Sequence, residues 1–296
     1  MRINGKMAPE GYTKQDIDAL AEAFGANPGH EVCVYNLAER TGLSRAAYVL
    51  VIRRAFKDLC DSVADDLQHG VFPSEDRKMW NERRKQVQQR HARYCCCIGD
   101  AAVEPDISKG IGCVVSFDTI PAVAELRNRL TFAGMECDIP KLCDLNGEVN
   151  HYYDAKKCYI GFHGDGERPD VVGFVVGASK TLHFQGFCGA DPVGERLEII
   201  VHHGDLYVMC EVACGHNWKA EIAARGQGVV HYRHAACDPR GHRCVPTNEK
   251  IMAARAQKAS KRVLKRAREG ESKEEDGKEV KKGRGGSPVD GVEPAE

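Results

Sequence analysis

A histidine and an aspartate two positions apart follow a short apolar segment in the middle of the chain. Residues 159–162 predict a strand, and His163 and Asp165 come directly after it. Because side chains two apart in an extended segment project from the same face, the imidazole and the carboxylate lie side by side. Mononuclear iron(II) oxygenases use two His and one carboxylate on one side of the metal, which leaves the opposite positions open for a co-substrate and dioxygen. This chemistry needs a second His from elsewhere in the chain.

The second His comes from a predicted strand further along the chain. Strand alternation puts Tyr232 and His234 on one face, and His231 and the charged Arg233 on the other. Because the face without Arg233 is expected to point inward, we predict that His234 is the distant ligand and that His231 lies at the surface or rim. The alternative ligand is His216, whose loop could fold over the mouth of a barrel.

The remaining His and Cys residues have less specific spacing. His202 and His203 precede a Gly-Asp pair and predict a solvent-facing hairpin turn. The 14 Cys are spread along the chain and include an adjacent triplet at 95–97, so reduced thiols are expected. Two sets could bind zinc but lack the paired Cys-x-x-Cys spacing of a zinc site: Cys210, Cys214 and His216, or Cys237, His242 and Cys244.

Short strand patterns surround these residues. They recur between Gly112 and Cys244 with Gly, Asp and Pro between them, and a helix is predicted over 121–130. This spacing favours an antiparallel barrel or jelly roll over alternating parallel units. We therefore predict a mostly β catalytic domain over residues 85–250. The strands are predicted at 113–117, 159–162, 171–176, 181–184, 197–201, 206–209 and 229–233.

The first 84 residues predict a helical region. Thr13 and Asp16 predict a capping box that opens the first helix, and a second helix that carries Leu37 and Ala38 breaks at Gly42. Ser44 is expected to cap a third helix with its apolar positions at 48, 51, 52, 56 and 59 turned inward. This outline is compatible with a DNA-binding helix-turn-helix or with an ordinary helical bundle. Residues 73–93 are basic and polar and predict an exposed connecting helix.

The last segment, 251–296, predicts a basic helix followed by a disordered tail. The run between Lys258 and Arg268 is rich in Lys and Arg, which is compatible with a nuclear localisation signal, a nucleic-acid contact or a solvated helix face. From Glu271 onwards there is hardly any bulky apolar residue, so the tail is expected to remain disordered.

Composition sets limits on the class of protein. With 42% hydrophobic and 29% charged residues, the chain has the composition of a globular protein and not of a collagen, a coiled-coil rod or a wholly disordered chain. A net charge of -1 argues against a protein that coats nucleic acid with its whole surface. Neither a signal peptide nor a membrane-spanning apolar segment is visible, so an intracellular protein without membrane contact is expected.

The ordered series of motifs resembles a known family. An Asn150-His-Tyr152 segment, the His163-Gly-Asp165 motif, a Gly-Asp turn, and His234 followed by an Arg are similar to the AlkB-like branch of the 2-oxoglutarate- and iron(II)-dependent dioxygenases. The resemblance covers about half the chain, from roughly residue 93 to 244. It implies a double-stranded β-helix with His163, Asp165 and His234 as the iron ligands.

The resemblance also implies a site for 2-oxoglutarate and one substrate contact. Asn150 and Tyr152 match the family's Asn-x-Tyr pair, which hydrogen-bonds 2-oxoglutarate. The family's Arg, which binds the far carboxylate of the co-substrate, corresponds best to Arg243, with Arg240 and Arg255 as alternatives because the sequence departs from the usual spacing there. Glu167 matches an acidic position that touches the base in some nucleic-acid demethylases.

The activity implied is hydroxylation or oxidative demethylation that consumes dioxygen and 2-oxoglutarate. The expected substrate is an alkylated nucleobase in single-stranded or flipped nucleic acid, with the basic segments near 83–93 and 258–268 as phosphate contacts. Two alternatives remain open at this point. One is a protein side-chain hydroxylase, and the other is a DNA-binding regulator in which the helix-turn-helix is the functional part and the barrel is not catalytic.

Overall fold

β-Strands make up most of the regular structure in the computed structural model, which describes residues 9–154, 157–166, 168–189, 191–216, 218–225 and 229–237. The helices are α1 (Lys14–Gly25), α2 (Leu37–Thr41), α3 (Cys60–Asp66), α4 (Pro121–Glu136), α5 (Glu211–Cys214) and α6 (Trp218–Arg225). The strands are β1 (Glu31–Asn36), β2 (Tyr48–Arg53), β3 (Lys78–Asn81), β4 (Gln86–Gln89), β5 (Tyr94–Gly99), β6 (Val114–Ser116), β7 (Gly147–His151), β8 (Tyr159–His163), β9 (Val171–Phe174), β10 (Lys180–Cys188), β11 (Asp191–Val201), β12 (Leu206–Met209) and β13 (Val230–Cys237).

The strands pair mainly in antiparallel fashion. One sheet has the order β1-β2-β12-β9 and a second the order β11-β10-β13-β8. A third sheet, β6-β5-β7, contains a parallel pair, and β3 and β4 form a separate hairpin. The prediction of a mostly β protein with antiparallel sheets is confirmed. Over the residues that the structure describes, the sheets stay open and do not close into one barrel.

The first helix begins as predicted. The Thr13 hydroxyl accepts a hydrogen bond from the main-chain N–H of Asp16, and the Asp16 carboxylate accepts one from the Thr13 N–H, which completes a capping box. Ile17, Leu20 and Phe24 are buried on one face of α1. The second helix, α2, also ends as expected, with Gly42 in the left-handed conformation.

The third predicted helix, from Ser44, is wrong. Tyr48–Arg53 is strand β2, which lies between β1 and β12, and residues 49–52 are fully buried. A central strand covered on both faces is continuously apolar and often β-branched, as this Val-Leu-Val-Ile run is. The helix-turn-helix is therefore absent from these described residues. Because β2 bonds to β12, the sheet also crosses the domain boundary predicted at residue 84.

The basic connecting helix predicted over 73–93 is also wrong. The segment contains the β3–β4 hairpin, in which Lys78 pairs with Gln89 and Asn81 with Gln86. The Asn81 side chain accepts a hydrogen bond from the main-chain N–H of Arg84 and helps to form the turn. Most side chains of the hairpin are exposed. The segment lacks helical periodicity because it forms a hairpin that is mostly exposed to solvent.

The strands predicted in the second half of the chain are all present, with ends that shift by a few residues. The hairpin turn predicted at His202 and His203 is wrong, because this turn carries the chain from β11 in one sheet to β12 in the other. The buried carboxylate of Asp205 organises the turn, since it accepts hydrogen bonds from the main-chain N–H groups of His202 and Arg54 and pairs with Arg53 at 2.6 Å.

The basic helix and the tail predicted over 251–296 lie outside the described residues. They include the run between Lys258 and Arg268. Within the described ranges, no helix is both long enough and apolar enough to cross a membrane.

Candidate metal centre

Two histidines and an aspartate meet where β8 and β13 run side by side. His163 and His234 are paired across the two strands, and their ring centroids lie 4.3 Å apart. One carboxylate oxygen of Asp165 lies 3.4 Å from Nε2 of His163, and the other lies 3.3 Å from Nε2 of His234. One ligand atom from each of the three residues lies within 4.8 Å of the others. The structure therefore brings together the three residues predicted as metal ligands.

Main-chain contacts orient these side chains. Nδ1 of His163 donates to the carbonyl of Gly161 at 2.8 Å, which fixes the tautomer and leaves Nε2 toward Asp165. The main-chain N–H of Asp165 donates to the carbonyl of Cys214 at 3.0 Å. His216, the alternative ligand, is not in the cluster, and its Nδ1 instead donates to the main-chain carbonyl of Asp165 at 2.8 Å.

The protonation states of the cluster suit a metal ligand set. Burial alone would raise the pKa of Asp165, but contacts with His163 and His234 outweigh it and hold the pKa well below its usual range. Burial lowers the pKa of His234. The Nε2 of His234 is buried and lies 3.3 Å from a carboxylate oxygen of Asp165, and it makes no hydrogen bond within the part of the chain that the structure describes. An ionised carboxylate and a neutral imidazole with a free lone pair are the forms that bind a divalent metal.

The prediction that His231 lies at the surface or rim is wrong. His231 is 2% exposed and stacks between Trp218, at a centroid distance of 5.0 Å, and Phe187, at 6.0 Å. Nε2 of His231 accepts a hydrogen bond from Nε of Arg233 at 3.1 Å. His231 does face away from His234, as the alternation indicates, but the side chain of Trp218 from α6 covers that face of the sheet.

A cavity of about 840 Å³ opens beside the metal ligands. Its lining includes His163, Asp165 and His234, and also Asn150 and Tyr152. The two residues predicted to bind 2-oxoglutarate therefore share a cavity with the three predicted metal ligands. Part of the wall is apolar and is formed by Leu182, Phe184, Met209 and Ala236.

Asn150 and Tyr152 both have cationic neighbours. Nε of Arg93 donates to the side-chain oxygen of Asn150. The ammonium of Lys180 lies 3.6 Å from the ring centroid of Tyr152. Burial raises the pKa of Tyr152 to about 12, so its phenol stays a hydrogen-bond donor at neutral pH. The side of the cavity near Tyr152 therefore combines a phenol, an amide and two cations.

Two residues of this region are not predicted by the sequence patterns above. Lys180 is two residues before Leu182 in β10, and strand alternation extended by one step would have put it on the cavity side. Tyr207 pairs with Gly173 across β12 and β9 and lines the cavity. A Cβ on Gly173 would lie 2.1 Å from the Tyr207 ring, so the glycine leaves room for it. No local pattern indicated Tyr207, because its position depends on this long-range pairing.

Several predicted residues lie outside the described part of the chain: Glu167, Arg240, Arg243, Arg255, His242 and Cys244. The zinc set of Cys210, Cys214 and His216 does not converge. Among the residues that the structure describes, His163, Asp165 and His234 form the one cluster of three or more potential metal ligands.

Comparison with known proteins gives one informative relationship. The chain is 32% identical over 245 residues to the "Uncharacterized protein R156" of Acanthamoeba polyphaga mimivirus, and the match covers 80% of this chain and 90% of the viral protein. No protein-family model matches the chain.

Proposed function

This chain belongs to the same family as the uncharacterized protein R156 of Acanthamoeba polyphaga mimivirus, and we propose that it is an iron(II)- and 2-oxoglutarate-dependent dioxygenase. One observation carries the proposal. The His163, Asp165 and His234 side chains converge at a cavity that is also lined by Asn150 and Tyr152. This combination provides a metal ligand set and donors for an anionic co-substrate within one site.

The strand order supports a double-stranded β-helix. The second half of the chain pairs in a nested way: β10 with β11, β9 with β12, and β8 with β13. The β9–β12 pair belongs to one sheet, and the other two pairs belong to the other sheet. A long hairpin folded over so that successive pairs alternate between two sheets has the connectivity of a jelly roll. In this arrangement the two His ligands come from the outermost pair.

The donor set fits iron(II). Two imidazole nitrogens and one carboxylate oxygen form the 2-His-1-carboxylate set of non-haem iron(II) oxygenases. The buried nitrogen of His234, which has no hydrogen-bond partner among the described residues, gives an independent reason to expect an ion there. Bound iron(II) would supply the redox chemistry that couples oxidative decarboxylation of 2-oxoglutarate to succinate and CO₂ with hydroxylation of a substrate C–H bond.

The chain's own residues would bind and orient the co-substrate. The phenol of Tyr152 and the amide of Asn150 can donate to a carboxylate, and Lys180 and Arg93 beside them add positive charge. The resemblance to AlkB-like enzymes adds Arg243 as the residue that binds the far carboxylate. Leu182 and Phe184 form an apolar wall that limits water near the metal ligands.

The expected substrate is an alkylated nucleobase, whose N-hydroxymethyl product would lose formaldehyde and complete a demethylation. The basic hairpin supports a polyanionic substrate, because Arg83, Arg84 and Lys85 are exposed at its turn. Arg90 and Arg93, which follow β4, line the cavity itself. Phosphate contacts along this segment would bring a single-stranded or flipped nucleotide toward the metal ligands. Glu167, two residues after Asp165, is a candidate contact to the base.

A panel of N-methylated oligonucleotides tests the proposal. The full-length protein is incubated with iron(II), 2-oxoglutarate and air, and succinate and oligonucleotide mass are measured. We expect succinate release and loss of a methyl group from one class of methylated base. A panel of unmodified peptides run in parallel, read for the addition of one oxygen atom, tests the protein-hydroxylase alternative. Absence of succinate with every substrate would contradict the assignment as a dioxygenase.

A further inference from the structure

A turn outside the ligand triad contacts both segments that carry the metal ligands. α5 ends at Cys214, and Gly215 follows in the left-handed conformation with φ of 66°. Glycine adopts this left-handed conformation without a steric penalty. It brings the carbonyl of Cys214 and the imidazole of His216 toward the same residue, Asp165. We call residues 214–216 the support turn.

The support turn holds the main chain of Asp165 at two points. The N–H of Asp165 donates to the carbonyl of Cys214 at 3.0 Å, and the carbonyl of Asp165 accepts from Nδ1 of His216 at 2.8 Å. Because a carbonyl can only accept, the proton of a neutral His216 lies on Nδ1. With both main-chain groups bonded, rotation of the Asp165 peptide units is restricted, and with it the direction of the carboxylate.

The same turn contacts the segment that carries the other ligand. A Cβ on Gly215 would lie 2.3 Å from the carbonyl oxygen of Tyr232 in β13, and a Cβ on Gly164 would lie 2.2 Å from the carbonyl oxygen of Gly215. The backbone of the support turn therefore contacts both the Asp165 loop and β13 directly. Such contact leaves the turn little freedom to move relative to either ligand.

We propose that His216 is a positioning residue that fixes the Asp165 carboxylate relative to His234 and so sets the affinity and geometry of the metal site. This inference rests on the proposed function only in requiring that the triad binds a metal. His216 acts through the main chain of Asp165 and is not a ligand itself. Outer residues that orient metal ligands typically contribute about 10- to 100-fold to metal affinity.

Two substitutions at His216 test the proposal. His216→Asn keeps an N–H donor where Nδ1 lies, whereas His216→Leu removes it. Cobalt(II) serves as the probe, with affinity measured by calorimetry and site geometry by the visible absorption spectrum of the bound ion. We expect His216→Leu to bind cobalt(II) roughly 10- to 100-fold more weakly with an altered spectrum, and His216→Asn to stay within about threefold of the wild type, which corresponds to about 0.7 kcal/mol.

His216→Gln is the polar control, since its amide is carried one carbon further from the main chain and does not reproduce the Nδ1 position. If His216→Leu does not fold, His216→Gln takes its place in the comparison. Wild-type affinity and spectrum in the Leu or Gln variant would overturn the positioning role, and so would an Asn variant as impaired as Leu. Failure of the wild type to bind cobalt(II) would overturn the metal site itself and with it this proposal. The two failures are therefore distinguishable.

Discussion

His163 and His234 lie directly opposite each other on hydrogen-bonded antiparallel strands, with their imidazole centroids 4.3 Å apart. The carboxylate of Asp165 contacts both rings. The candidate metal site therefore depends on the pairing of β8 with β13. Because a slip of one residue in such a pair turns every side chain to the other face, the register of these two strands determines whether the ligands meet.

The first prediction concerns the identity of the distant ligand. We expect His234→Ala to lose iron(II) binding, because it removes one of three ligand atoms. His216→Asn, which keeps the hydrogen bond to Asp165, should retain the metal. Iron content is measured after reconstitution under anaerobic conditions and removal of free metal. Iron retained by His234→Ala but absent from His216→Asn would show that the distant ligand was assigned to the wrong histidine.

A second prediction concerns the 2-oxoglutarate site. Lys180→Met and Arg243→Ala should each raise the 2-oxoglutarate concentration needed for half-maximal turnover by roughly 10- to 100-fold, because each removes a charged partner of a carboxylate worth about 1.5–3 kcal/mol. Iron content should remain unchanged in both. Arg240→Ala and Arg255→Ala are the matched controls. If one of the controls shows the increase and Arg243→Ala does not, the resemblance has been aligned incorrectly in this segment.

A third prediction tests β2 as a central strand. Ile52 is fully buried, and Ile52→Ala should reduce the free energy of unfolding by about 2–5 kcal/mol through loss of apolar burial and formation of a cavity. Val34 in the neighbouring edge strand is 44% exposed, and Val34→Ala should cost clearly less. Denaturant titration of both variants provides the comparison. Equal small effects would argue that the segment is not buried between β1 and β12.

The N-terminal segment contains one element, strand β2, that its local sequence could not predict, and one, helix α1, that it could. A run of apolar residues that is buried on both faces has no period of its own, so a Ser before it, here Ser44, also resembles the cap of a helix. The decisive interaction is with β12, far along the chain. The capping box of α1, in contrast, is made by Thr13 and Asp16 within one turn, and it was correctly predicted from the sequence.

The candidate site also combines residues that local sequence predicts with residues that depend on distant contacts. His163 and Asp165 were found from their spacing in one strand, and His234 from alternation in another. The burial of His231 was not predictable from that alternation, because it depends on where α6 places Trp218. Tyr207 and the support turn were also missed, since both depend on contacts between distant segments. Local periodicity indicates which face a side chain occupies but not what covers that face.

The fourth prediction concerns acid sensitivity. Burial and the adjacent Arg233 guanidinium lower the pKa of His231. In the unfolded chain His231 binds a proton at about pH 6.5, whereas in the folded protein it does so only at lower pH. The free energy of unfolding therefore decreases as the pH falls below about 6.5. His231→Phe keeps an aromatic ring between Trp218 and Phe187 but cannot be protonated.

The free energy of unfolding is measured at pH 7.5 and pH 5.5 for the wild type, for His231→Phe and for His202→Phe, which changes an exposed histidine. The wild type and His202→Phe should lose more stability on acidification than His231→Phe does. An identical loss in all three proteins would mean that His231 does not contribute to the pH dependence.

Succinate formation from 2-oxoglutarate by the full-length protein, with iron(II) and dioxygen present, tests the central claim most directly. It is compared with the same measurement on Asp165→Ala and His163→Ala, whose folding is checked by thermal unfolding. The ligands line a cavity and are not part of the apolar core, so both variants should stay folded. We expect succinate from the wild type and none above background from either variant. Succinate from a folded variant at the wild-type rate, or none from the wild type, would contradict the account.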